Sequence, residues 1–168
     1  MDAKEIYHRI EQSFPQEVSG LDDECSDPFF KVSPTSIVGV CSQLKDEKSL
    51  DFQVLSDLTA IDFPKDDQLK VVYHLYSYSA RHQIVLKVDL DRETPRITTV
   101  ESVWKVANWF EREVYDLFGV VFEGHTDLRR IMLPEDWVGH PLRKDFVEQE
   151  EYDGIRTERE PLVPENLR

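Results

Sequence analysis

Apolar positions along this chain change their spacing several times, and each change marks an element. Ile6, Ile10 and Phe14 fall four residues apart, the spacing of one helical face, and predict an amphipathic helix over residues 3–14. The stretch LDDECSDP reads as a turn closed by Pro28, and Phe29–Val32 is an apolar run of strand length. Ile37, Val38, Val40, Cys41 and Leu44 return to helical spacing and predict a helix over about residues 34–46, with Ser33 or Thr35 as its cap. The stretch from Phe52 to Phe63 is strand-like in parts, and Pro64 to Asp67 is a turn. The aromatic and β-branched run from Val71 to Tyr78 predicts a strand. A turn near residues 80–82 sends the chain back through Ile84–Val88, which ends at the charged turn Asp89–Glu93. These are meander strands with one wet face. The strongest helical stripe comes next: Val103, Val106, Ala107, Phe110, Val114, Leu117 and Phe118 predict a helix over 102–118, started by Glu101 or Ser102 and stopped by Gly119.

After Gly119 the periodicity ends, and Pro134, Gly139 and Pro141 interrupt anything long. The expected fold is therefore α+β: a small, mostly antiparallel sheet packed with two or three helices, followed by an irregular extended C-terminal segment. Three regions are expected: an α+β core over residues 1–120, a charged segment over 121–146, and an acidic tail over 147–168. That tail carries seven acidic and three basic residues, so it is expected to be ordered only against a partner.

Charge narrows the function. The 168 residues include 20 Lys and Arg against 34 Asp and Glu, a formal charge of −14. Nucleic acid is an unsuitable partner, because neutralising phosphates needs clustered cations, and an anionic lipid surface is equally unsuitable. The longest apolar runs are about six residues where a membrane span needs about 20, so no direct span is expected. The N-terminal stretch MDAKEIYHRIEQSF is too charged for a signal peptide, which points to the cytoplasm. Cys25 and Cys41 are too few to hold an iron–sulfur cluster unaided and are expected to be reduced thiols. The five histidines show no metal-ligand spacing. Asp22, Asp23 and Glu24 lack the alternation and glycine of a calcium loop.

Candidate chemistry lies between residues 111 and 146. Glu111 and Glu113 invite an acid–base reading, with a freestanding carboxylate-dependent hydrolase as its outcome. Helix geometry opposes it, since residues two apart lie about 160° apart around the axis. Arg112 and Asp116, four apart, are expected to pair on an outer, charged helix face. Beyond the helix, cations recur in pairs, Arg129 with Arg130 and Arg143 with Lys144, interleaved with Asp127, Glu135, Asp136 and Asp145. Met132, Leu133, Trp137 and Leu142 add large apolar groups. Arg and Trp commonly anchor protein interfaces. A subunit interface and an internally paired loop are both open on this pattern.

The run EREVYDLFGVVFEGHTDLRRIMLPEDWVGHPLRKDF, residues 111–146, closely resembles the signature of the 30 kDa-type subunit family of proton-pumping NADH:quinone oxidoreductase, respiratory complex I. Thr126 stands where the family commonly has proline, and Val147 where a proline often follows. The resemblance implies a noncatalytic subunit of the hydrophilic arm, with no cofactor bound by this chain. NAD, FMN, iron–sulfur clusters and quinone would belong to the parent complex. The partners it implies are the other peripheral-arm subunits, above all the quinone-site subunit, over which the C-terminal region would drape. The location it implies is the cytoplasmic side of the inner (plasma) membrane. The signature positions carried over are Glu111, Arg112, Glu113, Asp116, Phe118 and Gly119 on the helix, and Gly124, His125, Arg129, Arg130, Pro134, Asp136, Trp137, Gly139, Pro141, Arg143 and Lys144 beyond it. The resemblance assigns them to local folding and docking. A related membrane-bound hydrogenase, or a quinone oxidoreductase using another donor, is the alternative setting.

Overall fold

The computed structural model describes residues 1–157. Helix α1 spans Ala3–Ser13 and opens with a reciprocal cap, in which Asp2 accepts from the Glu5 amide and Glu5 accepts from the Asp2 amide. Its Ile6 and Ile10 are fully buried, as their spacing requires. Strand β1 (Val18–Asp22) and strand β2 (Phe29–Val32) follow, then a short 3-10 turn begun by Pro34, then helix α2 (Ile37–Asp46). Ile37, Val40, Cys41 and Leu44 of α2 enter the core. No side chain caps α2; the Ser33 hydroxyl instead meets that of Thr35 at 2.9 Å.

Strands β3 (Val54–Phe63), β4 (Gln68–Ser77) and β5 (His82–Asp91) form the antiparallel meander. Each is longer than its apolar run suggests. Asp89 lies within β5, between Lys31 at 2.8 Å and Lys70 at 2.6 Å, instead of in a turn. Cross-strand ion pairs of this kind extend the ladder past the apolar residues. Strand β2 joins β5 in parallel, giving a five-stranded sheet of order β1-β2-β5-β4-β3. The alternation Leu69, Val71, Tyr73, Leu75 on β4 and Ile84, Leu86, Val88, Leu90 on β5 supplies the core side of the sheet.

Strand β6 (Arg96–Thr98) leads to a turn, and helix α3 runs over Ala107–Phe118, five residues later than the sequence pattern predicts. The reason is Trp104. Its indole is buried and donates to the Phe52 carbonyl at 3.1 Å, which holds residues 100–106 in turns instead of helix. Val106 of the predicted stripe is left exposed. After α3, strand β7 (Val121–Glu123) pairs in parallel with β6 and puts Phe122 into the core. Residues 124–146 then run as an irregular strap over α3, and a two-residue hairpin, β8 (Glu151–Tyr152) with β9 (Ile155–Arg156), ends the described chain. The remaining residues of the expected acidic tail, 158–168, lie outside the described residues.

Phe30 anchors the parallel strand: it is fully buried and its neighbour Tyr7 on α1 meets it edge-on at 5.5 Å. Replacement Phe30→Ala is expected to cost about 3–5 kcal/mol of stability, read as a lower urea midpoint with an unchanged slope.

Candidate functional site

A helix leaves its last four carbonyls without partners; for α3 the cap glycine serves one and the strap serves the other three. Tyr115 O accepts from the Gly119 amide at 2.9 Å. Asp116 O accepts from His140 Nδ1 at 2.9 Å, Leu117 O from the Leu142 amide at 3.1 Å, and Phe118 O from Arg143 Nε at 2.7 Å. Arg130 and Arg143 thus place two cations at the negative end of the helix dipole. Gly119 must turn left-handed here, at φ +79°, and a Cβ on it would stand 2.6 Å from His140 Nε2.

The second fastening is Asp116 itself. The side chain is fully buried. One carboxylate oxygen receives three successive backbone amides, Ile131 at 2.9 Å, Met132 at 2.7 Å and Leu133 at 2.9 Å. The other receives Arg130 Nη1 at 2.7 Å, and Arg130 Nη2 reaches the carbonyls of Trp137 and Gly139. Burial pushes this carboxyl up, but the three amides and Arg130 outweigh it and hold it below the ordinary aspartate range.

The third fastening holds the start of the strap. The Thr126 amide and hydroxyl both donate to Glu101, which also accepts from Asn108 at 3.1 Å. A proline at position 126, common in the family the sequence resembles, would remove the amide donor. His125 Nδ1 accepts from the Asp127 amide at 3.0 Å and Nε2 faces the Asn108 carbonyl at 3.1 Å, so the proton sits on Nε2. Arg112 lies over Trp109, donates to the Arg129 carbonyl at 3.3 Å and stands 3.9 Å from Asp127. The fourth fastening is at the far end. Asp62 on β3 takes Arg92 bidentately at 2.7 and 3.0 Å and accepts from the Lys144 amide at 2.7 Å. Arg92 also pairs with Asp145 at 2.7 Å, and Arg143 reaches the Arg92 carbonyl at 3.2 Å. The Arg92 hydrogen bonds hold the Asp62 carboxyl below its usual range.

These contacts correct two expectations. Arg112 and Asp116 are buried and face different strap partners; they do not pair on an exposed helix surface. The 89–93 stretch is not a free charged turn, because Arg92 is buried against Asp62. Both errors have one cause: helical spacing shows which residues share a face, and the strap that covers that face is remote in sequence. The other signature residues divide. Phe118 joins the core and Trp137 stacks on Tyr152 at 5.2 Å, while Glu113, Arg129, Pro134 and Asp136 are exposed. The Lys144 side chain is also exposed, and Gly124 and Gly139 turn left-handed. Pro141 is half-buried beside His140. Sequence reasoning missed Asp62, Arg92, Thr99, Glu101 and Asn108, which have no motif and gain meaning only through their strap and helix partners.

Glu111 stands apart. It is fully buried, accepts from the Val100 amide at 2.8 Å and from the Thr99 hydroxyl, has His125 Nε2 at 3.9 Å, and among the described residues pairs with no arginine or lysine. Burial, with the Glu101 charge adding, pushes its carboxyl up to about 7 against those two hydrogen bonds. Glu111 and Glu113 therefore share no surface, since Glu113 is exposed. Among the described residues no group of three or more His, Cys, Asp and Glu side chains is arranged to hold a metal ion. Cys25 is exposed and Cys41 buried, both as free thiols.

The fold and its fastenings define an α+β domain that carries a preformed irregular strap across the end of its third helix. The chain belongs to the family described as "Respiratory-chain NADH dehydrogenase, 30 Kd subunit", whose model matches residues 30–152. It is 41% identical over 152 residues to an NADH-quinone oxidoreductase subunit of Chlorobium phaeobacteroides, covering 89% of this chain and 92% of that protein. Among solved structures it is similar to a trypsin-resistant fragment of Nqo5, with a TM-score of 0.61 at 28% identity over 76% of this chain and all of that one. It is also similar to a chain of an archaeal membrane-bound sulfane sulfur reductase, with a TM-score of 0.72 at 27% identity over 86% and 85% of the two chains.

Two measurements check the network. Asp116→Ala strands Arg130 and three amides and is expected to cost about 3 kcal/mol or more; amide exchange should accelerate at Ile131–Leu133 while β4 and β5 stay protected. Glu111 binds its proton more tightly folded than unfolded, so its contribution is complete below about pH 4.5 and is lost as pH rises to about 7. The Glu111 contribution to unfolding free energy should fall over that window by an amount on the order of 3 kcal/mol, read as the difference between the wild-type pH profile and that of Glu111→Gln.

Proposed function

We propose that this chain is a noncatalytic subunit of the peripheral arm of an NADH:quinone oxidoreductase, holding redox subunits in register while NAD, FMN, iron–sulfur clusters and quinone are bound elsewhere. The family and the named relatives support the setting. The observation that carries the positional role is the strap: an irregular segment of 23 residues fastened at four places, to the last carbonyls of α3, to Asp116, to Glu101 in the turn before α3, and to Asp62 on β3 with Arg92 just past β5. Such a segment offers a partner a rigid surface instead of a chain that must be ordered on contact. The partner that fits best is the quinone-site subunit, with the strap and the residues after it lying against that neighbour. The domain sits on the cytoplasmic side of the plasma membrane as a peripheral component. Among the described residues no helix is long and apolar enough to cross a membrane.

A second setting has its own support, because the structural likeness extends to a membrane-bound sulfane sulfur reductase. The same module then serves a complex with another donor or acceptor, a membrane-bound hydrogenase included. Within either setting the signature residues divide their work. Asp116, Arg130, His140 and Arg143 position the strap, and exposed strap residues touch the partner.

Affinity purification of the tagged chain from solubilised membranes tests this. Recovery of a flavin-containing, NADH-binding subunit together with the quinone-site subunit is expected. Recovery of hydrogenase or sulfur-reductase subunits selects the second setting, and recovery of the chain alone sinks both. The isolated chain should be colourless and should not oxidise NADH. Removing residues 147–168 should leave cooperative unfolding intact and loosen the complex.

A further inference from the structure

Two of the strap's three arginines, Arg130 and Arg143, are spent on its own domain, while Arg129 is exposed and pairs with Asp127 at 3.1 Å. Arg130 keeps only 16% of its side chain exposed, and Arg143 donates from Nε and Nη1 to backbone carbonyls, one at the end of α3 and one just past β5. What the segment turns outward is different. Met132 is 62% exposed, Val138 65%, Leu142 48% and Val147 84%. Val138 and Val147, with Phe146 beside them, line one shallow depression of about 280 Å³. Exposed apolar side chains gathered on one short stretch mark contact surfaces more often than scattered ones do. Around them the free charge is negative. Glu135, Glu148, Glu150 and Glu151 are exposed and make no ion pair among the described residues, against two such cations, Lys144 and Arg156.

We infer that the strap docks through an apolar patch centred on Val138 and Val147 with an acidic rim, and that its occupant is a protein surface of the opposite design: an apolar patch rimmed by lysine and arginine on another subunit of the same complex. This rests on the subunit role proposed above and gives its interface a chemistry. Charge complementarity selects the occupant. A second copy of this chain carries −14 and is repelled by the acidic rim, and an anionic membrane is repelled in the same way. Arg112 and Arg130 position this surface from behind, and Arg143 lines the depression beside Val138 and Val147.

The test uses the full tagged chain expressed in its native membranes, with retention of the co-purified subunits measured against salt. Val138→Ser with Val147→Ser is expected to lower retention about tenfold with unchanged thermal unfolding. Glu148→Gln, Glu150→Gln and Glu151→Gln together should lower it as well and flatten its dependence on salt. Undiminished retention in the apolar pair overturns the patch, and undiminished or increased retention in the triple variant overturns the basic-rimmed occupant. Wild-type chain that dimerises through Val138 and Val147, or that floats with phosphatidylglycerol vesicles, also overturns that choice. Wild-type chain that retains no oxidoreductase subunit defeats the subunit role itself, a result distinguishable from all of these.

Discussion

A carboxylate buried at the end of a helix needs donors, and Asp116 draws all of its side-chain donors from residues 130–133 of the strap. Three amides and a guanidinium converge on one side chain, and the path of the following residues is set by that convergence. The requirement runs both ways. The helix needs the strap for its last carbonyls, and the strap has almost no other backbone ladder of its own. Neither partner has a satisfactory alternative in water-free surroundings, where an unpaired polar group costs about 1–3 kcal/mol. The fastenings at Glu101 and at Asp62 then fix the two ends of a course whose middle Asp116 has already determined.

Glu111 and Asp116 show how local donors decide the state of a buried acid. Both lie on α3 and both are fully buried. Asp116 has a cation and three amides and is held ionised; Glu111 has one amide, one hydroxyl and a neighbouring carboxylate, and is pushed up to about 7. The first is a structural anchor whose donors favour its charged form. The second is a group whose charge the core tolerates poorly, placed beside Cys41 and Tyr73, whose own acidic forms are also disfavoured by burial.

The arrangement explains how a strongly acidic chain keeps a defined apolar and acidic surface on its strap. The sheet packs with α1 and α2 around fully buried Phe30, Tyr73 and Leu86, in one core that α3 and Trp104 share. Helix α3 closes the core and offers its C-terminal end as a socket. Arg130 and Arg143 of the signature fill that socket from inside the molecule, so apart from Arg129 and Lys144 the outward surface of the strap is mainly apolar and acidic. A family resemblance built on arginines and tryptophan is thus, in this chain, largely a record of how the strap is folded.

The three helices, strands β2 to β5, the core faces of α1 and α2, the stop at Gly119 and the family itself were legible in the sequence, because periodicity and short-range turn chemistry act between near neighbours; the short strands β1, β6 and β7 were not, since each is defined by the remote segment it pairs with. The 111–146 signature was legible for the same reason, being contiguous. Tertiary structure alone decided the start of α3, which Trp104 delays by docking on Phe52. It also decided the burial of Arg112 and Asp116 and the roles of Asp62, Arg92 and Glu101. Each of those depends on a partner roughly ten to eighty residues away. A linear pattern can report that a residue is charged and on which helical face it lies, but whether that face meets water or a returning segment is settled only when the chain closes on itself.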